Sequence, residues 1–168
     1  MKWISYLNIV SLVSLVSFTG FSLPEDPQTA KLKYSVDFVL DFVLKKKNLT
    51  RDPYHEVPEV FLQSHTALEL FQFSMQEQWG MLPDQITNAY SVKTNRIFLN
   101  DDKSYYVRLN RCMDDSLAHE LAHYVQVVYL NWDLNDDSLE WDAVDIQTQF
   151  REEFCPTHEN SRVSTSRH

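Results

Sequence analysis

Two helical patterns joined by a short polar link, between Leu117 and Phe154, constrain this chain more than any other feature. Leu117, Leu121, Val125 and Val128 recur at intervals of four, four and three, the spacing of one apolar face of an α-helix. Tyr124 to Leu130 continues that helix. Asn131 to Asp137 reads as a polar turn, and a second apolar-periodic segment runs from Ser138 to about Phe154. So short a link returns the second helix antiparallel to the first.

Beside the core stripe of the first helix stands His119-Glu120-Leu121-Ala122-His123. With 6 His and 24 acidic residues in 168 positions, ten of those acids being glutamates, about 0.01 matches to His-Glu-x-x-His are expected by chance. Four residues is close to one helical turn, so both imidazoles leave the same face and can converge on one ion. The apolar period explains the helix with or without a metal. It does not explain two histidines and a glutamate beside the core, where unpaired imidazoles would cost free energy. The pattern reads as half of a zinc site, with Glu120 placed beside the metal to take a proton from a bound water. The competing reading is a core helix with satisfied histidines.

A catalytic zinc takes three protein ligands and keeps one position open. The second helix opens with Glu140-Trp141-Asp142-Ala143, and Glu140 lies 17 positions beyond His123. Glu140 is the first candidate for the third ligand, because the longer carboxylate reaches further, and Asp142 is the alternative. From Leu117 to about Phe154 the chain resembles the gluzincin metallopeptidases, in which a ligating Glu on a second helix follows His-Glu-x-x-His. In the small members, ImmA/IrrE-like proteins among them, that Glu opens a Glu-x-x-Ala pattern, to which Glu140-Trp141-Asp142-Ala143 is similar. The resemblance implies His119, His123 and Glu140 on zinc and Glu120 in catalysis. Two positions depart from it: Val144 stands where Asp or Asn often follows, and Asp142 replaces a common second Glu. In larger gluzincins the ligating Glu directly precedes a small residue, which would align Asp142 with the ligand instead.

These acids also suit the first turn of a helix, where negative charge meets the positive end of the dipole. Asp145 has that solvated reading and one other: it is a candidate to accept the free ring N–H of His119 or His123, since zinc-bound imidazoles generally have such a partner.

Residues 1–22 resemble a secretory signal peptide: Lys2, an uncharged stretch rich in Leu, Val, Ile and Phe, and small residues at Gly20 and Ser22 before Pro24-Glu25-Asp26. Ser11, Ser14, Ser17 and Thr19 interrupt the apolar run, which favours cleavage over the alternative of an uncleaved membrane tether. Export, to a periplasm or out of the cell, puts Cys112 and Cys155 in an oxidising compartment. They bracket the helical pair and are expected to form a disulfide. With those cysteines paired, His123 faces Val144, one helical turn from Glu140.

The remainder supplies a domain of ordinary size: about 146 residues follow the expected cleavage, enough to bury a core. Helical spacing predicts a first helix from Thr29 to Lys47, Val60-Phe61-Leu62 suggests a short strand, and Ala67 to Gln78 reads as a helix. Ala89 to Val92 and Arg96 to Leu99, around a turn at Lys93-Thr94-Asn95, read as a β-hairpin. The resemblance implies that this hairpin lies beside the motif helix with an edge open to a peptide. Asp114 or Asp115 is the expected N-cap of that helix. Tyr90, Tyr105, Tyr106 and Tyr124 are candidate donors to a developing oxyanion.

The expected architecture is α+β, a minimal zincin-like domain in which a small sheet packs on the motif helix and the ligand helix, with an added N-terminal helix. Its limits are 23–155, followed by a polar tail at 156–168. The function expected is zinc-dependent hydrolysis of a peptide or protein substrate. The alternative is a non-catalytic exported binding module with a structural zinc. No stable membrane span remains once residues 1–22 are removed. A net charge of −9 argues against nucleic acid, and only two glycines leave no room for a phosphate-cradling loop.

Overall fold

The computed structural model describes residues 28–133, 136 and 138–155; the expected signal and tail lie outside them. The described residues form an α+β arrangement of five helices and one mixed three-stranded sheet. In chain order these are α1 (Val36–Lys46), β1 (Glu59–Leu62), α2 (Leu68–Trp79), β2 (Ala89–Ser91), β3 (Arg96–Leu99), α3 (Lys103–Leu109), α4 (Met113–Val128) and α5 (Ser138–Phe154). The sheet order is β1-β3-β2, with β1 parallel and β2 antiparallel to β3.

Side chains alternate across a strand, and β3 shows what that does here. Ile97 and Leu99 face the main core beneath α4, while Phe98 points the other way and packs with Phe71, Met75, Ile86 and Ala89. The sheet is thus covered by α2 on one face and by α4 on the other. Leu117, Leu121 and Val125, the stripe of the motif helix, are fully buried. Each such side chain contributes roughly 1.5–3 kcal/mol of burial. On its remaining sides α4 meets α1 and α5. Phe42 of α1 stands edge-on to Phe150 of α5, with ring centroids 5.0 Å apart, and Tyr34, Phe38 and Phe154 extend that aromatic cluster.

The first helix begins later than its spacing predicts. Ala30, Leu32 and Tyr34 are partly buried at every second position, the period of an extended strand. Thr29 bridges to Asp102, and the Lys33 and Tyr34 N–H groups both donate to the Asp114 carboxylate, the shortest contacts at 2.9 Å. Only at Ser35, whose hydroxyl accepts from the Phe38 N–H, does helix α1 start.

Asp114, spent on that anchor, is not the cap of α4. The N-cap is Cys112: its sulfur accepts from the Asp115 N–H, and the Asp115 carboxylate accepts from the Cys112 N–H, a reciprocal capping box. Helix α3 goes beyond the sequence reading. It is seven residues long with only Tyr106 buried, too little apolar surface to print a period.

Cys112 and Cys155 are disulfide-bonded, with Cα atoms 6.0 Å apart, tying the start of α4 to the end of α5. Among the described residues, no helix is long and apolar enough to cross a membrane.

Candidate metal centre

Helix α4 presents His119 and His123 from one face, and their Nε2 atoms lie 3.1 Å apart. From the first turn of α5, Glu140 reaches both: one carboxylate oxygen is 3.5 Å from His119 Nε2 and the other 3.3 Å from His123 Nε2. Ligands about 2.0–2.1 Å from a tetrahedral ion stand about 3.3 Å from one another. The two imidazole nitrogens stand near that spacing, and each has a different oxygen of the Glu140 carboxylate within 3.5 Å, so this donor set fits a metal ion. His119, His123 and Glu140 are one of two groups among the described residues that could hold one. The other, Cys112, Asp115 and Cys155, has its sulfurs joined in the disulfide.

Glu140 rather than Asp142 is thus the acid that the fold brings to the imidazoles. Asp142 does not reach the Nε2 atoms: it pairs with Lys47 at the end of α1 and accepts from Gln126 Nε2 at 2.7 Å. The reason is helical rotation: two residues on from Glu140 is more than half a turn around α5. Asp145 does not meet either histidine. It is exposed and accepts from Gln149 Nε2 at 2.7 Å. The partner of His123 Nδ1 is Gln126 Oε1, at 2.9 Å. Sequence reading passed over Gln126, although it sits three residues after His123 on the same helix face. His119 Nδ1 is buried without a hydrogen-bond partner among the described residues.

Glu120, only 4% exposed, shares a cleft of about 580 Å³ with the three donor residues. Burial pushes its carboxyl up to about 8, and the Glu140 charge adds to the rise; a hydrogen bond from the Tyr90 backbone and the charge of Arg111 act against it. Burial pulls His119 down to about 3, with His123 and Arg111 reinforcing the drop. A cation at the centre would reverse the first of these effects by stabilising the carboxylate.

Strand β2 walls the cleft, but its outer edge is engaged. Gln78 of α2 donates from Nε2 to the Tyr90 carbonyl at 3.0 Å and accepts from the Val92 N–H at 3.2 Å. The expected open edge is filled by a side chain that imitates a neighbouring strand. Nor do three of the four candidate tyrosines bring a spare hydroxyl. Tyr90 donates to Asn95 Oδ1, Tyr106 to the Asn100 carbonyl and Tyr124 to the Glu56 carbonyl. Of those three, only Tyr90 lines the cleft.

The chain matches no protein-family profile, no curated protein and no solved structure.

Proposed function

We propose that this protein is a zinc-dependent peptide hydrolase of gluzincin type, with His119, His123 and Glu140 as ligands and Glu120 as general base. One observation carries the reading: two imidazole nitrogens and a carboxylate converge within 3.5 Å of one another in a cleft whose wall includes a buried glutamate. Two histidines and one glutamate form a donor set that suits catalytic zinc.

Zinc at these ligands would supply a Lewis acid and a water with its pKa lowered toward about 7. The chain's own part falls to Glu120. Its carboxylate accepts the proton of the attacking water and returns it to the departing amine nitrogen. Glu140 approaches from the solvent side of α5, and the cleft between α4, β2 and α2 is where a peptide would lie. The disulfide supports an exported enzyme, because such bonds persist in oxidising compartments.

The test is hydrolysis of a quenched peptide library alongside metal analysis. Wild type is expected to hold one zinc and cleave; Glu120→Gln is expected to hold the zinc and lose at least about 10²-fold in rate. Turnover at the wild-type rate by Glu120→Gln would overturn the mechanism, and a zinc-free wild type would overturn the reading.

A further inference from the structure

Gln126 is fully buried on α4, and both ends of its carboxamide are committed. The nitrogen has two acceptors, the Leu139 carbonyl at 2.9 Å and Asp142 Oδ2 at 2.7 Å. Neither acceptor can donate, so Nε2 must face them and Oε1 must face His123 Nδ1. An amide oxygen only accepts, and His123 must therefore carry its proton on Nδ1. The lone pair is left on Nε2, the atom directed at His119 Nε2 and Glu140. Asp142 is held in turn by Lys47 of α1 through its other oxygen.

We infer that Gln126, held by Asp142 and Lys47, is a positioning residue that fixes the tautomer and ring orientation of His123 for metal binding. The inference rests on the proposed metal centre, which it deepens by adding a chain of hydrogen bonds from α1 and α5 to one ligand. Among the described residues His119 has no such support, its Nδ1 being buried without a partner there. The two imidazoles are thus unequal: one is set by the fold before metal arrives, the other is not. Asp142, a candidate ligand by its sequence position, acts at one remove, through a carboxamide.

Zinc titration and ring ¹⁵N NMR of the full chain test this. In metal-free wild type, His123 is expected to be protonated on Nδ1; a proton on Nε2 would overturn the inference whether or not zinc binds. Gln126→Leu is expected to lose that tautomer preference and to weaken zinc binding about 10- to 100-fold. Gln126→Glu alone sets two carboxylates against each other and is expected to weaken it as well. Combined with Asp142→Asn, which supplies a donor where the acceptor was, Gln126→Glu is expected to regain the Nδ1 proton and zinc affinity within a few-fold of wild type. A double variant no better than Gln126→Glu alone would overturn the inference. Because the double variant restores the hydrogen bonds to His123 and to position 142, giving up only the one to the Leu139 carbonyl, simple misfolding is separated from loss of positioning. A wild type with the expected tautomer and no zinc affinity would count against the metal centre alone.

Discussion

His119 Nε2 and His123 Nε2 stand 3.1 Å apart on consecutive turns of α4, with the Glu140 carboxylate spanning both. Ring nitrogens so close repel if both present lone pairs, and a proton or a cation between them makes the approach favourable. The fold therefore maintains an arrangement that a bound ion would stabilise.

Zinc should raise stability through that linkage. At a free concentration about 1,000 times Kd, the gain is about 4 kcal/mol, readable as an upward shift of the thermal midpoint. His123→Ala should abolish the shift and Glu140→Ala should reduce it. Asp142→Ala should retain zinc better than Glu140→Ala does. The reverse order in a metal titration would return Asp142 to the ligand set.

The metal-free protein should show a stability profile set by opposed titrations. His119 goes from 6.5 in the unfolded chain to about 3 in the fold, so on acidification the unfolded state takes up the proton first, and stability is lost as pH falls from 6.5 toward 3. Glu120 goes from 4.5 to about 8; its contribution is complete below 4.5 and is lost as pH rises toward 8. Between 4.5 and 6.5 the two slopes oppose each other, and the melting temperature should be nearly level. Above 6.5 it should fall, and Glu120→Gln should remove that fall. An alkaline decline that persists in Glu120→Gln would assign it to another group.

The helical pair, the hairpin and the motif were legible because their periods and spacings are local. Leu117, Leu121 and Val125 repeat as a helix must, and the link between α4 and α5 is too short for other than an antiparallel return. The start of α1 was misread because Leu32 and Val36 also fit a helical spacing. What decides it is the Asp114 carboxylate, 80 residues distant, binding the backbone before Ser35. Long-range partners also explain Asp142 and Gln78. Their sequence neighbours do not reveal that Lys47 and the β2 edge claim them.

Cys112 does two jobs that substitution can separate. It caps α4 through its sulfur and forms the disulfide to Cys155, across a separation of 43 residues. Serine is a good N-cap, so Cys112→Ser should lose the cross-link but retain the cap, at a cost of about 2–4 kcal/mol in urea unfolding. Cys112→Ala should cost about 1 kcal/mol more. Equal midpoints for the two variants would show that a side-chain cap at this position contributes nothing.

Gln78 occupies the backbone groups that a substrate strand would use on the outer edge of β2. An incoming peptide that pairs with the Tyr90 carbonyl and the Val92 N–H must first displace its carboxamide, and each exchanged hydrogen bond has a net worth of about 0.5–1.5 kcal/mol. Gln78→Ala removes the competitor and leaves His119, Glu120, His123 and Glu140 untouched. The expected result is a KM about 3- to 10-fold lower for extended peptides, with zinc content and kcat little changed. A KM that rises instead would mean that the carboxamide itself binds substrate, and that peptides reach the centre without pairing along this edge.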